Sequence, residues 1–173
     1  MSLKTFAEAL PEFAKDLRLN LNSMLGDQQL GDQRKFGLLL ACAHGTGYRP
    51  LVDATEAEVA DQLSPEAANA ARAAAAIMAM NNVYYKFTGM IENQEYRTMP
   101  ARLRMNVIGN PGIDKLDFEL LSLAVSAVNG CGLCITSHER KLRNHGVTRE
   151  TIQSAVRIAA VIHAVACVLE TNP

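Results

Sequence analysis

Apolar positions recur at three- and four-residue spacing along nearly the whole chain, and no stretch alternates with the period of two expected of a half-buried strand. Over residues 5–24, with Leu25 just beyond, Phe6, Leu10, Phe13, Leu17 and Leu21 form one stripe, which predicts a single amphipathic helix. Residues 36–44 read as a short buried helix ending near Gly45 and Gly47, and 51–62 as a more polar one. Ser64-Pro65-Glu66 has the order of a helix start: a capping hydroxyl, proline at the first position, an acid in the first turn. It opens an alanine-rich helix that 81–90 continue past a kink, with Gly89 allowing an end. Asn110-Pro111-Gly112 is a turn leading into a helix over 115–128, and Asn129-Gly130 stops that helix. Residues 131–144 form the next, ended by Gly146, and Thr148-Arg149-Glu150-Thr151 caps the last, which runs to about 170. The expectation is an all-α, single-domain helical bundle over residues 1–173.

The pattern echoes itself. Phe36-Gly37-Leu38-Leu39, then Leu63-Ser64-Pro65-Glu66 and an apolar helix, has the same layout as Phe118-Glu119-Leu120-Leu121, then Val147-Thr148-Arg149-Glu150 and another. Each half reads as helix, connector helix, capped long helix. An old internal duplication and the general likeness of helical hairpins both account for it.

Composition narrows the function. With 173 residues, 49% apolar and 20% charged, the chain can bury a real core without covalent staples. A net charge of −1 gives no global field toward nucleic acid or anionic lipid. The longest uninterrupted apolar runs, such as 73–80, fall far short of a membrane span. Acidic residues near the N-terminus stand where a secretory signal would be apolar, so the expected compartment is the cytoplasm. In that reducing setting a close cysteine pair is a catalytic or metal-binding feature rather than a staple.

One such pair exists. In Asn129-Gly130-Cys131-Gly132-Leu133-Cys134-Ile135-Thr136-Ser137-His138, two cysteines stand three residues apart at a predicted helix start. Unpaired backbone N–H groups and the helix dipole at that position favour thiolate, the nucleophile of disulfide exchange and peroxide attack. His138 follows Cys134 by four residues, so Cys131, Cys134 and His138 fall within roughly 60° of arc on one helix face. An imidazole there can take a thiol proton. Glu119, among Phe118, Leu120, Leu121 and Leu123, is either a surface carboxylate or one held to orient His138 or relay its proton. Cys42 and Cys167 read as core, and His145 as a helix C-terminal residue favoured by the dipole. Zinc would need four ligands, and Cys42, His44, His163 or Cys167 would have to converge on the pair. There is no Gly-rich phosphate loop and no basic patch with interleaved aromatics, so reducing electrons must come from another molecule's thiols.

The stretch from Met105-Asn106-Val107-Ile108 through Asn110-Pro111-Gly112, Phe118-Glu119-Leu120 and Ala127-Val128-Asn129-Gly130-Cys131 to His138-Glu139 resembles the alkyl hydroperoxidase D (AhpD) family. Leu10-Pro11-Glu12-Phe13-Ala14-Lys15-Asp16 and the run from Ala75 through Asn81-Asn82 to Tyr85 resemble it too. The match spans nearly the whole chain and is narrower than the wider carboxymuconolactone decarboxylase superfamily.

The resemblance implies an all-helical homotrimer that reduces alkyl hydroperoxides and also reduces the peroxiredoxin AhpC. Electrons would come from dihydrolipoamide on a lipoylated acyltransferase of the 2-oxoacid dehydrogenase complexes, with no bound cofactor or metal. It assigns attack and sulfenic acid formation to Cys134, resolution and proton donation to Cys131, and a proton relay to Glu119 and His138. Leu133 stands where some members carry a second motif histidine. The helix-start argument favours Cys131 as nucleophile, and burial of Cys131 between helices would reconcile it with the family's choice of Cys134. Two other readings are a lactone decarboxylase, whose chemistry needs no dithiol, and a non-enzymatic helical protein whose cysteines sense oxidation.

Overall fold

The computed structural model describes residues 2–172, and among them helix is the only regular structure: no strand occurs. The first departure from expectation is at Pro11. Helix α1 (Leu3–Ala9) is capped by Ser2, whose hydroxyl accepts the Thr5 amide, and it ends in extended backbone at Leu10. Proline disfavours helical geometry in the residue before it and offers no N–H. A 3-10 turn (Glu12–Ala14) intervenes before α2 (Lys15–Gly26) begins. The predicted single stripe over 5–24 is therefore cut in two: Leu10 and Leu21 are buried, while Phe13 is turned out to 75% exposure.

The core is built on two helices, α3 (Asp32–Thr46) and, further along, the helix over 115–128. Residues 35–43 are buried on every face of α3, and residues 118–126 are equally enclosed. After α3 come α4 (Arg49–Val59) and α5 (Pro65–Met90), the latter one unbroken helix where a kink was expected. Two single-turn helices, α6 (Glu95–Thr98) and α7 (Asn106–Gly109), carry the chain to α8 (Lys115–Val128). Then follow α9 (Gly132–Asn144) and α10 (Arg149–Thr171). The order buried helix, connector, capped long helix thus occurs twice. Ser64 Oγ accepts the Ala67 amide at 3.2 Å and Thr148 Oγ1 accepts the Thr151 amide at 3.2 Å. Caps of this kind contribute about 1 kcal/mol each.

Helix α5 packs on α3, α8 and α9, and α10 on α2, α3 and α8. Among the described residues, α10 is the one helix that by length and composition could cross a membrane, a property hidden from a search for uninterrupted runs by Arg157 and His163. Here it is a core helix: Ile152, Ala155, Ile158, Ile162, Val165 and Leu169 form its buried face.

Polar groups tie three neighbouring helices at one edge. Glu56 of α4 receives His44 Nε2 of α3 at 2.8 Å on one oxygen, and the Arg72 guanidinium of α5 at 2.7 and 2.5 Å across both. The Arg72 hydrogen bonds, outweighing partial burial and helped by His44, hold the Glu56 carboxyl down to about 2. A depressed carboxyl contributes stability that is present above its unfolded value near 4.5 and is lost as pH falls through the folded one. Glu56→Gln is therefore expected to lower stability at pH 7 by on the order of 1 kcal/mol, the pair being partly solvent-screened. The difference from wild type should fade between about pH 4.5 and 2, as read by urea denaturation across that range. A gap that stays constant with pH would refute this origin.

Candidate functional site

The site begins where α8 stops. Asn129 caps the helix and Gly130 takes φ 65°, left-handed backbone that only glycine adopts freely. The Gly130 amide bonds Ala127 O and the Cys131 amide bonds Ser126 O, both at 3.1 Å, the paired bonds of a Schellman ending. Helix α5 holds this turn from the side. Asn82 Nδ2 donates to Ser126 Oγ and Asn129 Nδ2 donates to Asn82 Oδ1, each at 2.9 Å, while Lys86 Nζ reaches Asn129 O at 3.0 Å. The chain leaves the turn with Cys131 as the N-cap of α9, and the Cys131 sulfur accepts the Cys134 amide at 3.3 Å.

Cys131 and Cys134 are joined by a disulfide, with Cα atoms 5.3 Å apart. The two sulfurs are unequally placed. Cys131 is wholly buried, at 0% exposure, whereas Cys134, at 6%, lines a cleft of about 440 Å³ between α5 and α9. Met78, Asn81 and Tyr85 form the α5 wall, and Leu133, Ser137 and His138 stand with Cys134 on the α9 side.

Behind the cleft lies Glu119, buried in α8. Its Oε1 is 2.7 Å from His138 Nδ1, and its Oε2 accepts Lys141 Nζ at 2.6 Å. Burial pushes the carboxyl up, but the His138 and Lys141 hydrogen bonds pull harder, and the net shift is below the usual carboxylate range. Glu119 is thus an ionised anchor at neutral pH. Orienting His138, one of the roles the sequence left open, fits this state.

The spacing argument had placed Cys131, Cys134 and His138 together, and the structure places them together with Glu119. Lys141 was missed, although it stands three residues after His138 and seven after Cys134, on the same helical face. The α5 wall was also missed; its signal was the pair Asn81-Asn82 inside an apolar run.

The remaining cysteines and histidines do not join the site. Cys42 is buried in α3, its thiol pushed up to about 12 by burial. Cys167 corrects the expectation of a core residue: it lies exposed on α10, 3.6 Å from His163 Nε2. It falls on the outer face of a helix whose inner face is complete, which apolar neighbours in sequence concealed. His44 is engaged by Glu56, and His145 caps α9 with Nδ1 2.8 Å from Lys141 O. Among the described residues no group of three or more His, Cys, Asp or Glu could hold a metal ion.

Comparison with known proteins gives the same centre of gravity. The carboxymuconolactone decarboxylase family matches residues 94–170, the half that carries the disulfide, Glu119 and His138. The alkyl hydroperoxide reductase AhpD of Rhizorhabdus wittichii is 70% identical over 171 residues, covering 99% of both chains. The protein of that name from Hyphomonas neptunium is 57% identical over 98% of this chain and 94% of its own. The one from Rhodopseudomonas palustris is 58% identical over 99% and 95%. Identity at that level over essentially full length means that the chain belongs to the AhpD family.

Proposed function

We propose that this protein is a thiol-dependent alkyl hydroperoxide reductase whose working group is the Cys131–Cys134 dithiol. The observation that carries the reading is a disulfide at a helix start, with one sulfur on an apolar-walled cleft and a carboxylate-anchored histidine beside it.

In the reduced protein the Cys134 thiolate attacks the terminal oxygen of the hydroperoxide. The S–O bond forms, the O–O bond breaks, and the alkoxide leaves as the alcohol after taking a proton. Cys131 then attacks the sulfenic sulfur, water is lost, and the disulfide closes. Two thiols and one hydroperoxide thus give a disulfide, an alcohol and water. With Nδ1 committed to Glu119, His138 has Nε2 left to exchange protons with the thiols and the leaving alkoxide. Glu119 orients the ring. Cys134 is the attacker because it is the sulfur on the cleft.

Two thiolates of a dithiol donor restore the pair by exchange through a mixed disulfide at Cys134. In this reading the donor is dihydrolipoamide on a lipoylated acyltransferase of a 2-oxoacid dehydrogenase complex. The same exchange, run toward an oxidised partner, reduces the peroxiredoxin AhpC. The working unit is a homotrimer in the cytoplasm, with no bound cofactor. Leu133, packed against Gly89 on the cleft rim, leaves His138 as the one imidazole of the relay.

The first test is stoichiometry. Reduced protein given one equivalent of an organic hydroperoxide should lose two thiols, with the loss of two hydrogens mapped to the peptide holding Cys131 and Cys134, and dihydrolipoamide should restore them. Oxidation routed to Cys42 or Cys167 would end the reading.

The cysteines should behave differently. Cys134→Ser is expected to abolish hydroperoxide consumption, and Cys131→Ser to accumulate sulfenic acid or a mixed disulfide on Cys134. An adduct found instead on Cys131 in Cys134→Ser would reverse the assignment.

Glu119 and His138 should act as one unit. His138→Phe and Glu119→Gln are each expected to slow thiol oxidation, within the range of about 10²–10⁴ typical of acid–base assistance. The double mutant should be little slower than the slower single one. Near-normal rates in both single mutants, with helicity intact, would leave the dithiol alone as the catalytic element.

A further inference from the structure

Among the described residues, one buried side-chain polar atom has no hydrogen-bond partner: Asn81 Oδ1. Asn81 is 6% exposed and sits in the middle of α5, flanked by alanine and methionine turns. Asparagine is a poor helix-interior residue, and an unmet buried carbonyl oxygen is destabilising. The contrast with its neighbour is sharp, since both ends of the Asn82 carboxamide are engaged, by Ser126 and Asn129. Nothing in the resting fold rewards the amide at position 81.

Its place explains it. Met78, Asn81 and Tyr85 stand at i, i+3 and i+7 on the face of α5 that walls the cleft, opposite Cys134 and His138. Between the apolar Met78 and the half-polar Tyr85, Asn81 is the amide of that wall. The unmet atom is an acceptor, so what completes it must be a donor. A hydroperoxide always carries one, its terminal O–H, on the very oxygen that the cleft sulfur attacks. The reacting groups of a dithiol are S–H, a weak donor.

We infer that Asn81 is a substrate-binding residue whose carboxamide oxygen receives the terminal O–H of the hydroperoxide and aims that oxygen at Cys134. The inference rests on the hydroperoxide reductase reading above. The torsion that carries a carboxamide is soft and two-fold, so a turn about Cβ–Cγ brings Oδ1 onto the cleft when a hydroperoxide enters. The alkyl group lies along Met78 and Leu133, and the hydrogen bond is made only while substrate is bound. Such a contact lowers the barrier through orientation of the reacting oxygen. It transfers no proton, and the balance of the reaction is unchanged.

The test uses the full-length protein and three readouts. In Asn81→Leu, which keeps the branching at Cγ but is bulkier, the second-order rate of thiol oxidation by cumene hydroperoxide should fall about tenfold or more. The rate at which dihydrolipoamide reduces the disulfide should stay within about twofold, because that step does not use the amide. The urea midpoint should be equal to or above wild type, since an unmet polar group has been removed. Asn81→Ala, less able to crowd the cleft, should repeat the slow oxidation. Unchanged oxidation in both variants, or a lower midpoint in Asn81→Leu with an unchanged rate, would assign Asn81 a structural role and overturn the inference. Equal slowing of oxidation and of disulfide reduction would also overturn it, by placing the effect on the dithiol. Wild-type thiols that resist the hydroperoxide while exchanging with dihydrolipoamide would instead remove the reductase reading itself.

Discussion

A carboxylate placed in the middle of an apolar helix has to be neutralised, and in this fold that requirement is met by Glu119. Its helix, α8, is enclosed on every side over residues 118–126, so water cannot do it. The two groups that can are both on α9, the His138 imidazole and the Lys141 ammonium, one helical turn apart. Once each carboxylate oxygen has its donor, the rotation of α9 about its own axis is set. Cys134, one turn before His138, then comes round to the cleft. The charge that looks like a burden on the core is therefore what sets the angle of the redox helix.

Helix α5 supplies the other half of the constraint. The turn from α8 to α9 is short and has a left-handed glycine, so alone it could hinge. Asn82 clamps it through Ser126 and Asn129, and Lys86 adds the Asn129 carbonyl. Position of α9 is thus fixed at its start by amides and along its length by the hydrogen bonds of His138 and Lys141 to Glu119. A dithiol that must open, react and close again with the same partner needs its cysteines held this way, because disulfide closure tolerates little error in Cα separation.

The sequence was most legible where local chemistry decides structure. Ser64 and Thr148 cap the helices their hydroxyls announced, and Asn129-Gly130 ends α8 as glycine endings do. The face shared by Cys134 and His138 followed from helical periodicity alone. It was least legible where tertiary packing chooses among equivalent patterns. Phe13 fits an apolar stripe, yet Pro11 shifts the register and turns it to solvent. Cys167 lies in an apolar helix, but only one face of α10 meets the core. Lys141 and Asn81 stand out locally, but their places follow only from knowing that Glu119 lies beneath α9 and that α5 lies across from it. Those are long-range facts, and one chain read in order does not contain them.

Two physical considerations about the cysteines point in different directions. The helix start favours thiolate at Cys131, and the Cys131 sulfur does accept the Cys134 amide. Yet Cys131 is the fully buried member of the pair, and the cleft belongs to Cys134. The two statements concern different steps. Attack on a peroxide requires access, so under the proposed reading it falls to Cys134. In the same reading, a reducing thiolate that later attacks the disulfide also comes from the cleft and strikes Cys134, which expels Cys131. A leaving thiolate departs faster the better it is stabilised, and an N-cap sulfur facing a backbone N–H is well placed for that. Under the proposed reading the helix start thus belongs to the leaving group, and the open cleft to the nucleophile. In that reading one short motif serves both directions of the cycle because its two sulfurs occupy different environments.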